Sequence, residues 1–261
     1  MAKHEKPSLR NDHMPYTRRI TQADAVASGY PNYRVVMAAS PESATVLGCF
    51  LGDGGHPPLH VHDVDVFFIV LEGSATIRLA DGTHEAKTGE LIYIPAGFPH
   101  GSDNRSGAAE HHLEILAPGV RPGAPILKPV ASVSEVQMPS AAPYVTSVSN
   151  APTETTGHER RWALTNESTD VHTARITAVE RTGPEVPGAP ASRDDDRLIV
   201  VTQGQLNTEI AARAAAVPAE ALIVIPAGVP HVIWNSSSAP VRYLDVDIHA
   251  VTAYTKLAPA G

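Results

Sequence analysis

At 261 residues the chain is long enough for two domains of ordinary size, and 23 prolines and 19 glycines divide its apolar residues into short runs. A net charge of −8, with no Lys/Arg run, argues against nucleic acid or an anionic membrane as partner. The single cysteine, Cys49, excludes an internal disulfide and fits a reducing compartment. The charged start, Met1 to Pro7, has no apolar core, and no apolar stretch reaches ~18 residues, so a soluble cytoplasmic protein is expected.

In chain order, residues 1–30 read as an N-terminal arm. It forms either a short helix around Thr21 to Ala27 or an extension that reaches a partner subunit. Residues 31–118 form a first β domain and carry the densest chemistry. Gly54 and His56 precede His60 and His62, and two histidines at i and i+2 on a strand point to the same face. Val66 to Leu71 is a β-branched and aromatic run that ends in a turn at Glu72-Gly73. Ala75 to Leu79 returns, and Asp81-Gly82 is a hairpin signal. Leu91 to Ile94 is a further strand, stopped by Pro95 and Gly97, after which a third histidine, His100, appears.

Imidazole suits zinc, copper, iron and nickel, so His60, His62 and His100 read as three metal ligands. On the later strand around His112, alternation sets His112 and Glu114 on one face and Leu113 and Ile115 on the other. If the first face lines the interior, Glu114 is a candidate general base or a hydrogen-bond partner of a metal-binding histidine. If it faces out, both residues are solvated. Val66, Phe68, Phe98 and His112 are the candidate pocket lining.

Pro118 to Pro125 leaves the first domain, and residues 119–160 read as a linker that wraps the domains. Residues 161–261 then repeat the first domain at an offset of 131, taking His100 to His231. Pro95, Gly97 and Asn104 meet Pro226, Gly228 and Asn235 at the same offset, which implies internal duplication. The copy lacks the paired histidines: His60 meets Ala191 and His62 meets Arg193. The charged run Arg193 to Arg197 reads as a solvated loop, and His231 as a hydrogen-bonded structural residue.

These residues resemble the cupin superfamily. Its first motif, G-x5-H-x-H-x3,4-E-x6-G, is met by Gly54, His60, His62 and Gly73, with Val66 where the family places a metal-binding glutamate. Its second, G-x5-P-x-G-x2-H-x3-N, is met in full by Gly89, Pro95, Gly97, His100 and Asn104. The resemblance implies an all-β fold of two double-stranded β-helix (jelly-roll) barrels in tandem, a bicupin. One divalent metal is then expected on His60, His62 and His100. Asp65, His56 and His112 are the residues within reach to replace the missing glutamate.

A site of three neutral histidines leaves the metal its full 2+ charge and favours substrates that arrive as chelating anions. The three-histidine site resembles those of quercetinase-like and diketone-cleaving dioxygenases. That implies Fe(II), O2 and a small enolisable or aromatic substrate. Zn, Mn, Ni, Cu and Co are also compatible with the ligands. The alternatives are a non-redox zinc cyclase, isomerase or lyase, and a cupin that binds a small molecule without turnover. A homodimer is a further expectation of the resemblance.

Overall fold

A computed structural model describes residues 15–40, 43–80, 82–120, 124–165 and 173–249. The described residues form strands joined by turns, with two short 3-10 segments, and hold no helix long and apolar enough to cross a membrane. Two barrels lie in tandem, as the repeat requires.

The first barrel pairs a seven-stranded sheet with a five-stranded one. The larger sheet runs Tyr144–Ser147, Glu90–Ile94, Asp65–Glu72, Glu110–Ala117, Ala44–Leu51, Tyr33–Ser40 and Val26–Ala27. The smaller one runs Lys128–Pro129, His60–Val61, His100–Asp103, Ser74–Leu79 and Gly82–Lys87. In the second barrel Ala221–Ile225, Asp196–Gln203 and Val241–Ile248 take the places of Glu90–Ile94, Asp65–Glu72 and Glu110–Ala117. The constant offset is therefore a structural equivalence.

The central strands explain why their sequences are apolar almost without interruption. Even-numbered residues of the strands Asp65–Glu72 and Glu90–Ile94 (Val66, Phe68, Val70, Ile92, Ile94) fill the first barrel's interior. Odd-numbered residues of the central strands (Phe67, Ile69, Leu113, Ile115) join Leu198, Val200, Leu244 and Val246 in one cluster shared by both barrels. The large sheets thus pack face to face, and both faces of each central strand are buried.

The segments outside the barrels tie them together. Tyr16–Arg19 pairs with Ala221–Ile225 of the second barrel, while Tyr144–Ser147 pairs with Glu90–Ile94 of the first. Each barrel's edge is covered by chain that precedes the other, which satisfies edge groups that would otherwise stay open. The helix expected around Thr21 to Ala27 is absent. A 3-10 turn at Gln22–Asp24 is followed by Val26–Ala27 paired with Arg34 and Val35, so sheet pairing overrides local helical preference. Asp81 lies outside the described residues, but Ser74–Leu79 and Gly82–Lys87 pair antiparallel, as a hairpin there demands.

Candidate metal centre

His60 and His100 face each other directly across two antiparallel strands, and His62 follows two residues on. The turn before His100 requires its glycine: Phe98 N–H donates to Pro95 O at 3.0 Å, and Gly97 adopts φ +77° at the third turn position. Gly97 N–H also donates to His62 O at 2.8 Å, which couples the two histidine-bearing segments. Asn104 brackets the far end, with Nδ2 donating to Leu51 O and Ala108 O, both at 2.7 Å.

The three rings are held in one tautomer. Nδ1 of His60 lies 2.7 Å from Pro58 O, that of His62 2.7 Å from Ile126 O, and that of His100 2.9 Å from Phe98 O. A carbonyl only accepts, so each Nδ1 carries the proton and each Nε2 turns a lone pair inward. One nitrogen from each ring lies within 4.8 Å of the others. Nε2 of His60 and His62 are 3.1 Å apart, and two bare lone pairs at that distance repel. His100 Nε2 is buried without a hydrogen bond.

A cation among these atoms resolves both problems. Ligands at ~2.1 Å with angles of ~90–109° would stand ~3.0–3.4 Å apart, which matches the His60–His62 separation. Protonation is the other way to quench the lone pairs, and burial opposes it. Burial, with repulsion from the neighbouring imidazoles, lowers the pKa of His60 and takes that of His100 well below the usual histidine range. The donor set fits a divalent metal.

The remaining predicted residues separate into two groups. Val66 and Phe68 face the barrel interior, and Phe98 packs in the same cluster. His112 and Glu114 also point inward, because Leu113 and Ile115 of their strand lie in the inter-barrel cluster. Phe68 stacks on His112 at 4.0 Å between ring centroids and 22° between planes. Burial alone would raise the Glu114 carboxyl, but His112, with His62 and His60, brings it down to about 2. Glu114 also acts electrostatically on His100, so it is coupled to all three candidate ligands.

Two suggested replacements for the glutamate are not brought to the cluster. Asp65 follows the odd parity of its strand, away from the interior, and accepts from Ala96 N–H at 3.0 Å. No bulge displaces it. His56 is exposed, with Nδ1 2.8 Å from Gly54 O.

Three interior residues escaped the sequence reading: Tyr33, Cys49 and Glu110. Glu110 grips His112 Nδ1 with both carboxylate oxygens, at 2.9 and 2.8 Å, and Tyr33 Oη donates to Cys49 Sγ at 3.0 Å. Extending the alternation of His112 and Glu114 back by one step would have found Glu110. Cys49 and Tyr33 depend on cross-strand pairing that no local pattern displays.

The second barrel carries its own cation. Arg197, at the position of Val66, is buried, so the charged run departs from the expected solvated loop at its last residue, while Asp194 is exposed and Arg193, Asp195 and Asp196 are partly so. Arg197 Nη1 donates to His231 Nε2 at 2.9 Å, while Nε and Nη2 reach Asp245 at 2.7 and 2.8 Å. Asp245 stands at the repeat position of Glu114. A bidentate carboxylate offsets the cost of burying the guanidinium, which local charge density in the sequence cannot reveal. His231 Nδ1 is fixed by Val229 O at 2.9 Å, in the same manner as His100.

Comparison with known proteins agrees with this architecture. The family model described as "Cupin domain" matches residues 49–115. A search of curated proteins returns no match to the sequence. Among solved structures, a putative glyoxylate-induced protein from Pseudomonas aeruginosa superposes with a TM-score of 0.72 at 17% identity, covering 94% of this chain and 93% of that one. The Lactobacillus farciminis oxalate decarboxylase in its formate complex gives 0.69 at 15% identity, covering 90% and 86%. Vicilin from Corylus avellana gives 0.66 at 13% identity, again covering 90% and 86%. At such identities the likeness speaks for the fold. Residues 49–115 match the cupin domain, and the described residues have the all-β cupin fold.

Proposed function

We propose that this chain is a bicupin whose three-histidine centre makes it an Fe(II)-dependent dioxygenase that acts on a small enolisable or aromatic compound. The observation that carries the reading is the convergence of three Nε2 lone pairs, each locked by a backbone carbonyl, with an apolar residue in place of the fourth ligand. A ferrous ion held by His60, His62 and His100 would supply a redox centre with open positions for an anionic chelating substrate and O2.

The chain's own residues do the rest. Val66, Phe68 and Phe98 give the interior an apolar wall that excludes water and suits an aromatic or alkyl group. Glu114 stays ionised facing the three histidines, and its carboxylate is the interior group placed to accept a hydrogen bond from the acidic C–H or O–H of an enolisable substrate and to receive its proton once coordination has made it acidic. His112, buried between Glu110 and Glu114, holds that carboxylate in position.

A lyase reading has one specific support, the fold shared with an oxalate decarboxylase that binds formate. Oxygen separates the two. Protein purified without oxygen should hold about one iron per chain and consume O2 only when an enolisable or aromatic substrate is added. Glu114→Gln should retain iron and lose turnover on the order of 10²–10⁴-fold. Zinc in place of iron at the three-histidine site, identified by its loss in His60→Ala, or turnover without O2 uptake, would move the assignment to a lyase or isomerase.

A further inference from the structure

Glu114 has a second set of neighbours inside the first barrel. Cys49 on Ala44–Leu51 lies directly opposite His112 on Glu110–Ala117, and Glu114 is two residues further along the same face. Potential ligand atoms of Cys49, His112 and Glu114 lie within 4.8 Å of one another, and all three residues are buried. Both oxygens of Glu110 engage His112 Nδ1, which leaves Nε2 as the coordinating atom. That Nε2 is buried without a hydrogen bond, 3.5 Å from Glu114 Oε1.

We propose that Cys49, His112 and Glu114 form a second metal site, distinct from the three-histidine site and suited to a thiophilic divalent cation. Thiolate, imidazole and carboxylate are a donor set for zinc-like ions, whereas the three-histidine site offers nitrogen alone. The surrounding groups match the role. A carboxylate behind a ligating histidine fixes its tautomer and strengthens it as a donor, as Glu110 does for His112. The Tyr33 hydroxyl donates to Cys49 Sγ and fixes its direction, while burial keeps the metal-free thiol protonated, so a metal would have to displace that proton. Phe68, stacked on His112, fixes the plane of the ring. Metal binding would displace the proton that burial keeps on Cys49 and the one that Glu110, against burial, keeps on His112; the thiolate, Glu110 and Glu114 then bring three negative charges against the ion.

Cys49 is the chain's only cysteine, so a thiolate-to-metal charge-transfer band reports this site without background. Metal-free protein titrated with Co2+ in the absence of oxygen should bind two equivalents and develop a near-ultraviolet thiolate–cobalt band. Cys49→Ser should remove the band and one equivalent, while His60→Ala should remove the other equivalent and leave the band. Glu110→Gln should weaken the band-forming site about 10–100-fold. A single equivalent without a band in the unmodified protein would overturn the proposal and leave a buried hydrogen-bonded network. A band that survives Cys49→Ser would overturn it too. The unmodified protein is decisive even if a buried substitution fails to fold, and loss of this site alone leaves the three-histidine assignment standing.

Discussion

Position 66 and its repeat, position 197, show how one residue sets the electrostatics of a barrel. Val66 leaves the three histidines without a protein-borne charge among them, and Arg197 supplies a permanent cation between His231 and Asp245. The repeat therefore places a cation between a histidine Nε2 and a carboxylate in one barrel, and between the equivalent groups, His100 and Glu114, the other has only an apolar side chain. Since Val66 faces the interior, Val66→Glu should tighten divalent-metal binding by converting a neutral donor set to one of charge −1. The metal-free variant should be less stable, because its carboxylate is buried without a partner. Competitive chelator titration measures the first effect and urea unfolding the second; unchanged affinity would mean that position 66 does not reach the metal.

At the scale of the element, the strand Asp65–Glu72 separates two environments by alternation. Its even residues belong to the barrel interior and its odd residues Phe67 and Ile69 to the inter-barrel core, while Asp65, at the start of the strand, is buried. Burial raises the Asp65 carboxyl from 3.8 to about 6, although its bond from Ala96 N–H pulls the other way. The folded state thus holds this proton more tightly than the unfolded chain does. Asp65 favours the fold most below pH 4, and that contribution is lost as pH rises through 6. Asp65→Asn should remove this dependence. The melting temperature of the variant relative to the parent should rise between pH 4 and pH 7, and a constant difference would contradict the assignment.

At the scale of the molecule, the two barrels share a core and exchange edge strands, so they should unfold as one unit. Both tryptophans, Trp162 and Trp234, belong to strands of the second barrel, while Ile115 enters the shared cluster from the first. Ile115→Ala should cost about 2–5 kcal/mol. It should also lower the midpoint of the tryptophan fluorescence transition, although no tryptophan lies on its own barrel. An unchanged fluorescence midpoint would show that the barrels unfold separately.

Much of this was legible because short-range rules governed it. The paired histidines, the Pro-x-Gly turn before His100 and the constant offset from Pro95 to Asn104 are all local patterns, and they marked out the candidate metal cluster and the tandem fold. The inward direction of His112 and Glu114 was left open, because alternation assigns two faces without saying which one meets the interior. Asp65, by contrast, keeps the orientation that alternation gives it.

What the sequence determined by itself is the histidine trio, the duplicated strand order and the loss of the paired histidines from the second half. Each follows from residue type and spacing within a few turns of chain. Only the tertiary structure decided that Cys49 and Tyr33 stand beside His112, that Arg197 is buried against Asp245, and that the two large sheets cover each other. Those contacts join strands distant in sequence. Their partners are chosen by the register of sheet hydrogen bonds and by burial of whole faces, and neither leaves a periodic trace in any one segment.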